Sequence, residues 1–206
     1  MTVMPVSPAS VQNDGEGLIV MGASLGGFDA VRLLLGELPQ DFSVPIVLVQ
    51  HRMSDPDGRL VELLGAQSRL PVSEPEDKDP ILPGRVYLAP SDYHLLVERG
   101  FFVLSTDEPV CHARPSIDVL FESAADSYGA TVIAIVLTGS NRDGAEGARS
   151  VKRAGGRVLV QDPRTALSPV APAAALETTI VDAVLTLEEM VPRLSELCAP
   201  RDWSLR

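Results

Sequence analysis

The stretch that decides the fold is Leu18-Ile19-Val20-Met21-Gly22-Ala23-Ser24-Leu25-Gly26-Gly27. An apolar run leads into glycines on either side of one serine, and an amphipathic segment follows at 28–38. This pattern predicts a buried strand, a tight turn and a helix, with Ser24 on the turn. Glycine permits the turn, and the free amides of a helix's first turn point toward whatever the serine holds. Ser24 is therefore a candidate nucleophile.

Strand-like apolar segments alternate with amphipathic segments through most of the chain. We predict strands at 18–21, 45–50, 131–137 and 157–160, and helices at 28–38, 57–67, 116–128 and 144–154. Continuously apolar strands separated by helices indicate a mostly parallel, doubly wound sheet in a three-layer α/β/α fold. Residues 71–110 break the alternation with short strands, which predict an antiparallel hairpin region at 85–89, 93–98 and 101–105.

Length and composition fit one domain, expected at 17–198, between flexible tails at 1–16 and 199–206. The sequence holds no apolar span of membrane length. Residues 1–17 lack the Lys or Arg with which a secretory signal begins. We therefore expect a cytoplasmic protein that does not insert into membranes. The formal net charge of −11 disfavours binding to nucleic acid.

Three polar residues follow predicted parallel strands, where the ligand crevice of such a sheet lies. Ser24 follows the first strand, His51 ends Val47-Leu48-Val49-Gln50-His51, and Asp143 follows the strand at 131–137 after a short loop. A serine hydroxyl is a poor nucleophile, but a histidine can take its proton and a buried carboxylate can fix the histidine's tautomer. These residues could together form a catalytic triad.

Other interpretations of the same residues remain open at this point. Ser24 could cap the following helix, Asp143 could cap the helix at 144–154, and His51 could be satisfied by backbone groups. Gly22-x-Ser24-x-x-Gly27 approaches a dinucleotide fingerprint, although Ser24 stands where glycine is required and no acidic residue ends the second strand. His94 and His112 follow no predicted parallel strand. The three histidines share no ligand spacing, so we expect neither metal nor cofactor.

Six ordered motifs resemble the catalytic domain of the chemotaxis receptor methylesterases (CheB type) over about residues 17–197. They are Gly22-Ala23-Ser24-Leu25-Gly26-Gly27, Val49-Gln50-His51, Tyr87-Leu88-Ala89-Pro90-Ser91-Asp92-Tyr93-His94, Arg114-Pro115-Ser116-Ile117-Asp118-Val119-Leu120-Phe121, Leu137-Thr138-Gly139 through Asp143-Gly144-Ala145-Glu146-Gly147, and Gln161-Asp162-Pro163 through Pro172-Ala173-Ala174.

The resemblance implies hydrolysis of glutamate γ-methyl esters on chemoreceptor cytoplasmic helices, and deamidation of receptor glutamines as a second activity. It carries the triad onto Ser24, His51 and Asp143, and oxyanion contacts onto the amides of Leu25 and Ser140. The chain order Ser, His, Asp differs from the order Ser, Asp, His of the α/β-hydrolases. Because only about 16 residues precede the first strand, the resemblance also implies a separate response regulator in place of the family's receiver domain.

The chain departs from the family pattern near the nucleophile. Leu25 replaces the usual Thr, Ser140-Asn141 replaces Met-Gly, and Ala171 replaces Met before Pro172. Asn tolerates a positive φ, so we expect Asn141 to preserve the turn in place of Gly, with the Ser140 N–H still directed inward. The alternative function is a catalytically impaired binding or regulatory module with the same fold.

Overall fold

The computed structural model describes residues 17–52 and 58–198. The two expected tails, 1–16 and 199–206, lie outside the described residues. The strands, in chain order, are β1 (Leu18–Ala23), β2 (Ile46–Gln50), β3 (Val72–Ser73), β4 (Val86–Leu88), β5 (His94–Glu98), β6 (Phe101–Ser105), β7 (Val132–Val136), β8 (Arg157–Gln161) and β9 (Ala183–Leu185). The helices are α1 (Gly27–Glu37), α2 (Arg59–Gly65), α3 (Ile117–Tyr128), α4 (Ala145–Arg153), α5 (Val170–Thr178) and α6 (Leu187–Cys198).

Seven strands form one parallel sheet in the order β3-β4-β2-β1-β7-β8-β9. Side chains of β1 alternate between its two faces: Leu18 and Val20 pack with α3, α4 and α5, whereas Ile19 and Met21 pack with α1, α2 and α6. Both faces are thus covered by helices, which explains the continuously apolar strands. The predicted doubly wound, three-layer fold is confirmed.

Antiparallel pairing in the region 71–110 is confined, among the named strands, to the hairpin of β5 and β6. The segment expected as a strand at 85–89 instead contributes β4 to the parallel sheet, where Val47 of β2 pairs with Tyr87. The hairpin packs on α3, and the hydroxyl of Ser127 donates to the carbonyl of Val97 at 2.9 Å. The ring centroids of Phe102 in β6 and Tyr87 in β4 lie 4.7 Å apart, so the hairpin packs against β4 as well as α3.

The part of the fold after β8 had no predicted elements. α5 consists largely of alanine and other apolar residues and shows no amphipathic period, and α6 contains Pro192. β9 has only three residues. Periodicity is absent from α5 and β9 is too short to show one, whereas α6 is amphipathic but its pattern is interrupted by Pro192. Among the residues the structure describes, no helix is both long and apolar enough to cross a membrane.

Candidate active site

The carboxyl ends of β1, β2 and β7 meet at one edge of the sheet, and backbone hydrogen bonds continue past the strand ends. The amide of Ser24 donates to the carbonyl of Thr138 at 3.0 Å, and the amide of His51 donates to the carbonyl of Ala23 at 2.9 Å. These hydrogen bonds to the sheet therefore fix the backbone positions of Ser24, the candidate nucleophile, and His51, the candidate base.

The turn after β1 exposes Ser24 without using it as a helix cap. Gly26 is the N-cap residue of α1 and adopts φ +80°, a conformation that favours glycine, and no side chain caps this helix. Ser24 and His51 both line an open cavity of about 520 Å³, to which Leu25 and Ser140 also contribute. The cap interpretation of Ser24 is therefore wrong, and the serine faces space that a ligand can enter.

His51 is hydrogen-bonded to Asp143, with 2.8 Å between Nε2 and Oδ2. Asp143 is fully buried. Burial alone would raise the pKa of this carboxyl, but hydrogen bonds from His51, the amides of Asp118 and Ile117 and the hydroxyl of Ser116 hold it below its ordinary value. An ionised carboxylate only accepts hydrogen bonds, so the imidazole proton lies on Nε2 and the lone pair on Nδ1.

The link between Ser24 and His51 in the predicted triad is open in this structure. Within residues 17–52 and 58–198, the hydroxyl of Ser24 donates no hydrogen bond, to His51 or to any other group. Ser24 and His51 nevertheless line the same cavity. Hydrogen bonds of this kind commonly tighten only when substrate binds.

Asp143 binds the start of a helix other than the one it precedes. Its Oδ2 accepts from the amide of Ile117 at 2.7 Å, and its Oδ1 accepts from the amide of Asp118 at 3.0 Å and from the hydroxyl of Ser116 at 2.8 Å. These groups form the N-terminus of α3, whereas the N-cap of α4 is Gly144. The interpretation of Asp143 as the cap of α4 is therefore wrong.

Asp118 makes the reciprocal contact. Its Oδ1 accepts from the amides of Gly144 and Gly147 at 2.8 and 2.7 Å, at the start of α4. Burial, reinforced by the negative charge of Asp143, raises the pKa of Asp118 to about 6 although these two amides oppose the shift. The first amides of α4 are therefore bound by Asp118 of α3, and the first amides of α3 are bound by Asp143, which directly precedes the N-cap of α4. The helix macrodipole favours negative charge at both positions.

Two backbone amides beside Ser24 remain available as donors. In the described part of the chain, the N–H groups of Leu25 and Ser140 donate to no protein acceptor, and both residues line the cavity of Ser24. The expectation of a positive φ at Asn141 is wrong: Asn141 does not adopt one, and the loop takes it at Gly144, with φ +101°. The side chain of Asn141 accepts from the amide of Asp143 at 3.3 Å, which closes the turn in a different way.

Ala171, one of the departures from the family pattern, packs beside the same loop. Its amide donates to the carbonyl of Gly139 at 2.9 Å. A Cβ placed on Gly139 would lie 3.0 Å from the Cβ of Ala171 and 3.1 Å from that of Ser24. The loop before Ser140 is therefore held directly against the candidate nucleophile.

Gln50 ties the two candidate residues together, a role that sequence reasoning missed. Its Nε2 donates to the carbonyls of Ser24 and His51, at 2.9 and 3.0 Å. A Cβ on Gly27 would fall 2.2 Å from Oε1 of Gln50, so glycine is needed for this approach. The sequence signal for this role was the amide side chain of Gln50 at the end of an apolar strand, directly before the candidate base.

The other histidines are placed differently. His94 is buried, its Nε2 donates to the carbonyl of Glu108 at 3.1 Å, and its Nδ1 accepts from the amide of Ser116 at 3.2 Å. It therefore supports the residue that bonds to Asp143. His112 is exposed on a loop, with φ +63°.

Ligand atoms of Cys111, Asp118 and Asp143 lie within 4.8 Å of one another. The carboxylate oxygens already accept the hydrogen bonds described above, and the thiol donates to Asp118 at 3.9 Å. Burial, followed by the charges of Asp143 and Asp118, raises the pKa of this thiol, so it stays protonated near neutral pH. All three groups therefore already have hydrogen-bond partners.

The doubly wound parallel sheet, with a cavity at its carboxyl edge lined by Ser24 and His51, belongs to a class of protein, the carboxylic ester hydrolases with an α/β fold. Within that class, this chain belongs to the CheB methylesterase family, whose sequence model matches residues 19–194.

Relatives and a solved structure agree with this assignment. The chain is 44% identical over 173 residues to a putative protein-glutamate methylesterase/protein-glutamine glutaminase of Leptospira interrogans, covering 84% of this chain and 90% of that protein. It is 44% identical over 180 residues to such an enzyme of Anaeromyxobacter dehalogenans, covering 87% of this chain and 53% of the relative. The crystal structure of the Thermotoga maritima CheB methylesterase catalytic domain matches with a TM-score of 0.84 at 35% identity, covering 88% of this chain and 98% of that one.

Proposed function

We propose that this protein is a protein-glutamate methylesterase that demethylates glutamate γ-methyl esters on chemoreceptor cytoplasmic helices, in the cytoplasm. The observation that carries the proposal is the pairing of His51 with the buried Asp143 at the cavity that Ser24 also lines. The named relatives support the chemistry, because they are called protein-glutamate methylesterases.

The reaction proceeds through an acyl-enzyme. Nδ1 of His51 takes the proton of Ser24, and Oγ attacks the ester carbonyl carbon to form a tetrahedral intermediate. The imidazolium returns that proton to the departing methoxide, methanol leaves, and a glutamyl ester of Ser24 remains. Water then loses a proton to His51, attacks this ester and releases the glutamate carboxylate, while the proton returns to Oγ. Asp143 keeps Nδ1 unprotonated and stabilises the imidazolium.

The amides of Leu25 and Ser140 stabilise the negative charge that develops on the carbonyl oxygen. Each such donor contributes on the order of 10²–10³ in rate where it is well placed. Both amides are without a protein acceptor in the described part of the chain, and both residues line the cavity, so the Ser140-Asn141 loop keeps a donor available beside Ser24. This favours an enzyme over the impaired binding module.

The same steps deamidate a receptor glutamine when ammonia is the leaving group, and the names of the relatives support this second activity. The acyl-enzyme is then identical, and only the first leaving group differs.

A separate response regulator is the partner we propose for control of the enzyme.

Ser24→Ala tests the assignment of the nucleophile. With a methyl-labelled cytoplasmic fragment of a chemoreceptor as substrate, we expect the rate of methanol release to fall at least about a thousandfold. Ser43→Ala, at an exposed serine after α1, is the matched control and should keep the full rate. Equal release by the wild type and Ser24→Ala would remove Ser24 from the mechanism.

A further inference from the structure

Apolar side chains lie on one side of the cavity that Ser24 lines. Leu25 is 56% exposed and Leu167 is 75% exposed, while Phe28, which is half-buried, lines the cavity itself. We refer to Leu25, Phe28 and Leu167 as the apolar rim. Exposed apolar side chains gathered beside a functional cavity commonly mark a binding surface.

The rim is built from two loops that are fastened to each other. A Cβ placed on Gly26 would lie 2.7 Å from the Cβ of Leu167, so Leu167 packs directly on the turn that carries Ser24 and Leu25. The hydroxyl of Thr138 donates to the carbonyl of Leu25 at 2.8 Å and accepts from the amide of Ser168 at 2.9 Å. Leu25 and Leu167 therefore keep their relative places although both are exposed.

A protein substrate has to cover this rim. Only the Cβ and Cγ methylene groups separate the backbone of a glutamyl ester from its carbonyl carbon, so the substrate's main chain stays at the cavity mouth while the ester reaches Ser24. Leu25 directly follows Ser24 in the chain and is more than half exposed. Side chains next to the ester on the substrate's surface consequently meet the rim.

We propose that the apolar rim is the docking surface for the substrate helix, and that it takes an aliphatic side chain one helical turn from the methylated glutamate. This inference rests on the proposed function, which supplies the helix. Residues three or four apart on a helix project from the same face with Cβ atoms about 5–6 Å apart. The glutamyl ester then enters the cavity while its aliphatic neighbour packs on Leu167 and Leu25.

Binding can be measured apart from hydrolysis. In a Ser24→Ala background, Leu167→Ser should weaken the binding of a methylated chemoreceptor cytoplasmic fragment about tenfold, because it removes most of one buried aliphatic contact. Ile180→Ser is the matched control, since Ile180 is 81% exposed and lies after α5, away from the rim. It should leave the dissociation constant unchanged.

The substrate offers the complementary change. Replacing the aliphatic residue one turn from the ester with serine should weaken binding to a similar extent. Combined with Leu167→Ser, it should cost little more than either change alone, because the two substitutions remove the same contact. In the active protein, Leu167→Ser should raise KM for the receptor fragment about tenfold, with a much smaller effect on N-acetyl-glutamate γ-methyl ester, which is too small to cover the rim.

The outcomes separate the two proposals. An unchanged dissociation constant for Leu167→Ser, additive losses in the combined experiment, or no binding of the fragment at all would overturn the docking surface. Binding that depends on Leu167, without methanol release by the protein that retains Ser24, would support the docking surface and overturn the methylesterase assignment.

Discussion

Asp143 and Asp118 are neighbouring buried carboxylates whose pKa values move in opposite directions. Asp143 receives hydrogen bonds from an imidazole, a hydroxyl and two amides, which outweigh its burial, whereas Asp118 receives two from amides and faces the charge of Asp143. The environments of the two groups thus keep the charge on the carboxylate that contacts His51, as paired acids in enzymes often require.

Asp118→Asn should reduce the pH dependence of stability. The pKa of Asp118 in the folded protein, about 6, lies above its ordinary value of 3.8, so the folded state binds more protons than the unfolded state between these values. Its contribution therefore makes the free energy of unfolding decrease as the pH rises through this window, by roughly 2 kcal/mol. Asparagine retains the oxygen that accepts from Gly144 and Gly147 but cannot titrate.

Urea unfolding at several pH values between 4 and 7 measures this effect. Asp126→Asn, an exposed change on the same helix, should leave the wild-type slope in place. The same slope in Asp118→Asn as in the wild type would contradict the assignment.

The sequence alone could identify site residues that follow the end of a predicted strand. Ser24, His51 and Asp143 each follow an apolar run, and the structure brings all three to one edge of the sheet. It could not find the contacts of Asp118 and Gln50, because these depend on how distant loops fold against each other. Asp118 binds Gly144, 26 residues away.

Among the elements, the N-terminus of α3 contributes most to the site. Ser116 caps this helix by accepting from the amide of Val119 at 3.4 Å, and its hydroxyl donates to Asp143 at 2.8 Å. The helix therefore begins on the side chain that also orients the carboxylate. We regard Ser116 as a positioning residue, since it acts on the substrate only through Asp143 and His51.

Ser116→Ala should lower the free energy of unfolding by about 1 kcal/mol, through loss of the cap, and should lower kcat about tenfold with little change in KM. Ser116→Thr should restore most of both. Ser123→Ala is the control, because the hydroxyl of Ser123 bonds to Leu120 and Val97 away from the site. A loss of stability in Ser116→Ala with unchanged kcat would show that the residue acts only as a cap.

Hydrophobic periodicity identifies helices whose two faces differ strongly in polarity, and a continuous apolar run identifies buried strands. The predicted strands at 18–21 and 45–50 correspond to β1 and β2, and the predicted helix at 116–128 corresponds to α3 with its cap. β4 was assigned to the wrong partners because a short apolar strand does not reveal whether its neighbour runs parallel or antiparallel.

At the scale of the whole molecule, the site joins the two helical layers across the edge of the sheet. Ser24 leads into α1 on one face, whereas Asp143 is held by the N-terminus of α3 on the other. His51, at the end of β2, bonds to Asp143 and lines the same cavity as Ser24. The site therefore depends on both apolar clusters.

Leu34→Ala in the α1 layer and Phe121→Ala in the α3 layer should each lower the free energy of unfolding by about 2–5 kcal/mol, since both side chains are almost completely buried. Because one sheet supports both layers, each variant should unfold in a single transition, and methanol release should be lost together with the circular dichroism of the helices. Separate transitions for the two signals would show that the layers unfold independently.

The exchange of carboxylates between α3 and α4 has a consequence for motion. Helix ends are where most folded chains open first, and such openings expose amides to solvent long before the rest of the protein unfolds. Here the first amides of α3 are held by Asp143, and those of α4 are held by Asp118, so neither end can fray without breaking the other's anchor. We therefore expect the carboxylate that orients His51 to lie in one of the parts of the molecule that open most rarely.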